Sequence, residues 1–152
     1  MERTFTGEKA GRIAEMFGID ADGANYEVDY KRDTAGLIVT CFAKTRMAEL
    51  RVYHPVSGDT ALLEFDAAAG VVLRTVWNRK RQQVTRTRRY FVMPEGLGLP
   101  LPQRGPYSRA GWLSARWWLP GAESEPVEVT NPKATAQRLA RLTRWAKEVL
   151  EP

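Results

Sequence analysis

Between Ala67 and Ala122 the chain carries ten Arg or Lys residues against a single carboxylate, Glu95, with seven aromatic side chains interleaved. Fixed cations at this density attract phosphates at long range, and aromatic faces stack on bases, so the chemistry on offer is the binding of nucleic acid. Arg79, Lys80 and Arg81 form one cluster, and Arg86, Arg88, Arg89 and Tyr90 a second; Arg104 with Tyr107, and Trp112 with Arg116 and Trp118, complete the set. The cations are the phosphate-neutralising residues. Trp112 and Trp118, with Tyr90 and Tyr107, are the candidates for stacking.

The cationic stretch sits in an uneven chain: residues 1 to 66 sum to −4, residues 67 to 122 to +9, and residues 123 to 152 to 0. The net charge of +5 therefore describes a dipolar molecule. Two sources of negative charge compete to neutralise the patch, an outside partner and the acidic first third. In the second case the arginine-bearing strands would lie opposite Glu27, Asp29, Asp33, Glu64 and Asp66 in one sheet.

No catalytic constellation accompanies the cations. His54 is the only histidine and precedes Pro55, with neither a nucleophile elbow nor a set of zinc ligands beside it. Asp59, Glu64 and Asp66 are the nearest approach to a magnesium-dependent nuclease, but no lysine follows at short spacing. The acidic run Asp20, Asp22, Glu27 and Asp29 fails as a calcium loop, because Ala24 stands at the fifth position and Lys31 at the twelfth. Gly96-Leu97-Gly98 lacks the third glycine of a dinucleotide loop, and there is no glycine-lysine-serine/threonine motif. The expectation is a nonenzymatic protein with no metal and no cofactor.

These residues need a scaffold, and 152 residues with 43% hydrophobic content make one ordinary domain, residues 1 to 152. Ala10, Ile13, Ala14 and Phe17 fall at helical spacing after Thr6, and Gly18 is placed to end that helix with Ile19 folding back. Five β-branched and aromatic runs follow, Tyr26 to Arg32, Leu37 to Lys44, Glu49 to His54, Ala61 to Asp66 and Gly70 to Asn78, separated by turn residues. Val84 to Met93 and Trp112 to Leu119 extend the series. Between these two, residues 94 to 108 form a loop in which seven of fifteen residues are Pro or Gly.

Asn131 and Pro132 open a C-terminal helix whose apolar face is Leu139, Leu142, Trp145, Ala146, Val149 and Leu150. Arg138, Arg141, Arg144 and Lys147 flank that face as a solvated stripe. The predicted fold is α+β: a curved or partly closed antiparallel sheet of about six or seven strands, a short N-terminal helix, and a longer C-terminal helix packed on one face.

Alternation then assigns faces to the cations. Arg86, Arg88 and Tyr90 share one side of their strand and Arg89 the other; Trp112, Arg116 and Trp118 point away from Trp117, which belongs with the core. Exposed aromatics suit splayed bases and no duplex-reading motif is visible, so single strands are favoured over duplex. Two other readings stand beside this one. The same surface suits docking on an acidic protein partner, and the space between the C-terminal helix and the sheet suits a small-ligand or enzyme pocket. Cys41 is the only cysteine, the N-terminus has no signal-like apolar run, and no stretch reaches the roughly 18 apolar residues of a membrane span, so a cytoplasmic protein that does not enter membranes is expected.

Overall fold

From Glu27 to Tyr90, each β-branched run pairs with the run that follows it in sequence. In the computed structural model, described for residues 1–19, 27–34, 36–42, 46–53, 56–66, 71–90 and 124–150, the strands are β1 (Glu2–Thr6), β2 (Glu27–Asp33), β3 (Gly36–Phe42), β4 (Arg46–Tyr53), β5 (Asp59–Asp66), β6 (Val71–Asn78), β7 (Gln83–Tyr90) and β8 (Ser124–Val127). They form one open antiparallel sheet whose spatial order is the chain order, β1 to β8. Short turns allow only such antiparallel neighbours, since parallel pairing needs a crossover. Among the described residues the sheet has eight strands and is not closed; six of them, β2 to β7, are runs that the sequence predicts. The other two are the edges of the described sheet: β1, which precedes the first helix, and β8, which follows the basic segment.

Helix α1 (Gly7–Met16) starts directly from β1, and the corner is Gly7, whose φ of +68° is a conformation that glycine adopts without steric cost. It ends as the sequence predicts. Gly18 at φ +74° lets Ile19 N–H reach back to Ala14 O at 3.1 Å, and Ala10, Ile13, Ala14 and Phe17 are buried. Helix α2 (Pro132–Leu150) begins where Asn131 Oδ1 accepts the Ala134 N–H at 3.1 Å, and it buries Leu139, Leu142, Ala146 and Leu150. Its stripe divides: Arg141, Arg144 and Lys147 are exposed, whereas Arg138 Nη2 donates to Phe17 O at 3.3 Å. That contact places a cation at the negative end of α1.

The pairing register sorts the strands into two faces, because residues directly opposite in a ladder point the same way. The inner face runs through Phe5, Val28, Tyr30, Val39, Cys41, Leu50 and Leu62, and both helices pack on it in a single core. Cys41 is a packed thiol, its pKa raised well above the usual value by burial. Each fully buried leucine of this core contributes roughly 1.5 to 3 kcal/mol. Among the described residues no helix is long and apolar enough to cross a membrane.

Candidate nucleic-acid interface

The tip of the β6–β7 hairpin carries Arg79, Lys80 and Arg81, all exposed. A turn with three adjacent cations needs local hydrogen bonds to hold its shape, and it has them: Asn78 Oδ1 accepts the Arg81 N–H at 2.8 Å, and Gln82 Nε2 donates to Arg79 O at 2.8 Å. The hairpin also leans on the β4–β5 connection. Asp59 Oδ1 accepts the Arg79 N–H at 3.1 Å, and the Arg79 stem lies so close to Gly58 that a Cβ there would stand 2.7 Å from Arg79 Cδ. Gly58, at φ +64°, therefore serves both the turn and the approach of Arg79.

Along β7 the ladder to β6 sets Arg86 opposite Thr75, Arg88 opposite Leu73 and Tyr90 opposite Val71, which places these three on the inner face with the core. Arg89 lies on the outer face, opposite Val72 and beside the exposed Arg74 of β6. Among the described residues the candidate cations therefore occupy three places: the hairpin tip, the inner face and the outer face. These described cations do not share one face of the sheet.

Arg88 meets the neighbouring edge strand. Its Nη1 donates to Glu125 Oε1 at 3.1 Å, and the Tyr90 hydroxyl donates to the same oxygen at 2.9 Å. One pleat further in, Arg86 faces Val127, and its buried Nε has no hydrogen-bond partner among the described residues. Burial of an unpaired donor is costly, so this atom stands out among the buried side-chain polar atoms of the described residues. Glu125 was not recognised in the sequence as part of the site. The available signal was Pro126, a residue confined to sheet edges, within the otherwise strand-compatible Ser124–Val127.

Among the described residues, the acidic side chains of β2 do not lie opposite β7 in the sheet. Five strand spacings separate β2, with Glu27, Asp29 and Asp33, from β7, roughly 24 Å measured along the sheet at about 4.8 Å per strand. On β5, Glu64 stands opposite Leu73, and Arg74 stands opposite Leu63. Asp29 instead accepts from Thr4 Oγ1 at 3.0 Å, and burial raises its pKa while that hydrogen bond pulls it back. Asp59 and Glu64 lie on opposite faces of β5, so the nuclease arrangement is not assembled, and no metal-holding cluster of acids, His and Cys occurs among the described residues.

One buried ionic pair escaped the sequence reading. Glu49 on the outer face of β4 is fully buried and accepts from Arg51 Nε at 2.8 Å, with Thr40 Oγ1 at 3.5 Å. Burial pushes its pKa up, and Arg51 and Thr40 only partly offset this. An acid inside a strand reads as surface in a sequence, and no local pattern distinguishes this one.

Arg104, Tyr107, Trp112, Arg116 and Trp118, with the strand expected over Trp112 to Leu119, the loop expected over 94 to 108 and His54, lie outside the described residues. The chain matches no protein-family model, no curated protein and no solved structure.

Proposed function

We propose that the protein is a nonenzymatic binder of nucleic acid, single strands in preference to duplex, and that the β6–β7 hairpin tip is its primary phosphate contact. The observation that carries the reading is the hairpin tip itself, where Arg79, Lys80 and Arg81 stand adjacent and exposed, with no ion pair to any of the three among the described residues. Adjacent cations exposed in this way are available to an outside polyanion. The hairpin is also held rigidly by Asn78, Gln82 and Asp59, so its cations are presented without a large ordering cost on binding. Trp112, Trp118 and Tyr107 supply base stacking in this proposal, with Tyr90 at the open end of the inner face.

The test is fluorescence anisotropy with labelled single-stranded and duplex oligonucleotides over a salt series. Binding should strengthen steeply as salt falls, by roughly 0.7 in log-log slope for each single-strand phosphate contacted. Replacing Arg79, Lys80 and Arg81 together with Gln should lower that slope by about 2. No binding at low salt, or a slope indifferent to the three replacements, defeats the proposal.

A further inference from the structure

Arg86 and Arg88 are two residues apart on β7 and point to the same inner face, yet they meet different partners. Opposite Arg88 the edge strand β8 supplies a carboxylate, Glu125; opposite Arg86 it supplies Val127. The first pair shows how an oxyanion sits on this surface, with one oxygen receiving both a guanidinium N–H and the Tyr90 hydroxyl. The second position repeats the guanidinium one pleat closer to the core, and there the Nε is shut off from solvent with no hydrogen-bond partner among the described residues.

We propose that Arg86, with Arg88 beside it, seats one oxyanion, a carboxylate or a phosphate monoester, carried by a small molecule with an apolar body. The side chains that share this face and surround Arg86 in the ladders are Thr75, Leu73, Trp77, Val84 and Val127, one hydroxyl among four apolar groups. Leu73, Trp77, Val84 and Val127 are each half-buried, so they offer apolar surface still in reach of a ligand. Arg86 is itself half-buried. Seating the anion turns the Nε edge of the guanidinium toward it and gives the fork the two-point contact that its planar geometry favours. This seat is separate from the hairpin tip, and binding there does not depend on the nucleic-acid reading.

The experiment titrates the full chain with octanoate and, separately, with adenosine monophosphate, observing the arginine Nε–H resonances by proton–nitrogen correlation NMR. The Arg86 signal is identified by its loss in Arg86→Lys. A saturable shift of that signal with octanoate assigns a carboxylate, and one with adenosine monophosphate assigns a phosphate. Arg86→Gln and Arg86→Lys should each weaken binding of the responding compound about tenfold or more, because one loses the charge and the other the fork. Arg79→Gln/Lys80→Gln/Arg81→Gln should leave it unchanged while weakening oligonucleotide binding. The proposal is overturned if neither compound shifts the Arg86 signal, or if the Lys variant binds as the unaltered protein does. Should Arg86→Gln fail to fold, the titration of the unaltered chain still decides.

Discussion

Arg88 and Glu125 face each other across the β7–β8 ladder and join through an ion pair of 3.1 Å. The carboxylate belongs to the edge strand, and it holds the Tyr90 hydroxyl as well as the guanidinium. Any anion that approaches the end of the inner face must therefore compete with a group that the chain itself provides.

Glu125→Gln should raise affinity for oligonucleotides, since it adds one unit of positive charge and releases Arg88 for a phosphate. The salt slope should steepen by about 0.7, one further single-strand contact. The pair is half-exposed, so denaturant midpoints of variant and parent should nearly coincide. Anisotropy over a salt series checks the first expectation, and an unchanged or weaker affinity refutes it.

Gly7→Ala and Gly58→Ala provide a matched comparison. Both glycines hold positive φ, and each replacement should cost roughly 1 to 2 kcal/mol in chemical denaturation. A Cβ at Gly7 meets nothing within 4 Å, whereas at Gly58 it meets Arg79 Cδ at 2.7 Å and Nη1 at 3.0 Å. Only the second variant should also change the salt dependence of oligonucleotide binding, because only there must the Arg79 side chain move. Equal effects on binding would mean that Arg79 contributes nothing.

Glu49 makes stability depend on pH with a definite sign. Burial raises its pKa in the folded state, so the folded protein keeps that proton at pH values where the unfolded chain has released it. Its contribution is complete below the ordinary glutamate range and is lost as pH rises toward the raised folded value. Relative to Glu49→Gln, the parent protein should therefore gain stability as pH falls from neutrality toward that range. Parallel curves of denaturant midpoint against pH for the two proteins would contradict this.

Two replacements separate what α2 does by packing from what it does by capping. Leu142→Ala removes a side chain that is 2% exposed, and it should cost about 2 to 5 kcal/mol. Arg138→Met keeps the apolar stem but removes the cation at Phe17 O, and it should cost roughly 0.3 to 1 kcal/mol. Thermal or denaturant unfolding measures both, and a larger loss for Arg138→Met than for Leu142→Ala would reverse the assignment.

Much of the scaffold is legible in the residue pattern where one face alone is apolar. The spacing of Ala10, Ile13, Ala14 and Phe17, the glycine after them, and the Asn131-Pro132 start of α2 each specify a local geometry that the fold keeps. The edges are harder. β1 buries no residue fully, and β8 is four residues with a proline, so neither carries the alternation that marks a half-buried strand. The site is legible in parity but not in direction: alternation separates Arg86 and Arg88 from Arg89, yet which side faces the helices is set by the register with β6, a long-range choice. Glu49 is missed for the same reason, since its burial is a property of the assembled sheet.

From β2 to β7 each ladder closes over a connection of two to five residues, so these hairpins can form with little loop-closure entropy. Contacts that span the chain are made by α2, whose Arg138 reaches Phe17 and whose Leu150 carbonyl receives Arg3 Nη1 at 3.5 Å, 147 residues away in sequence. Sequence-distant pairing slows folding more than local pairing does. The neighbour-to-neighbour order of β2 to β7 thus leaves the long-range part of the search to the edge ladders β1–β2 and β7–β8 and to the docking of α2, and stopped-flow refolding of Leu142→Ala should show its penalty in the folding rate if α2 docks at the barrier.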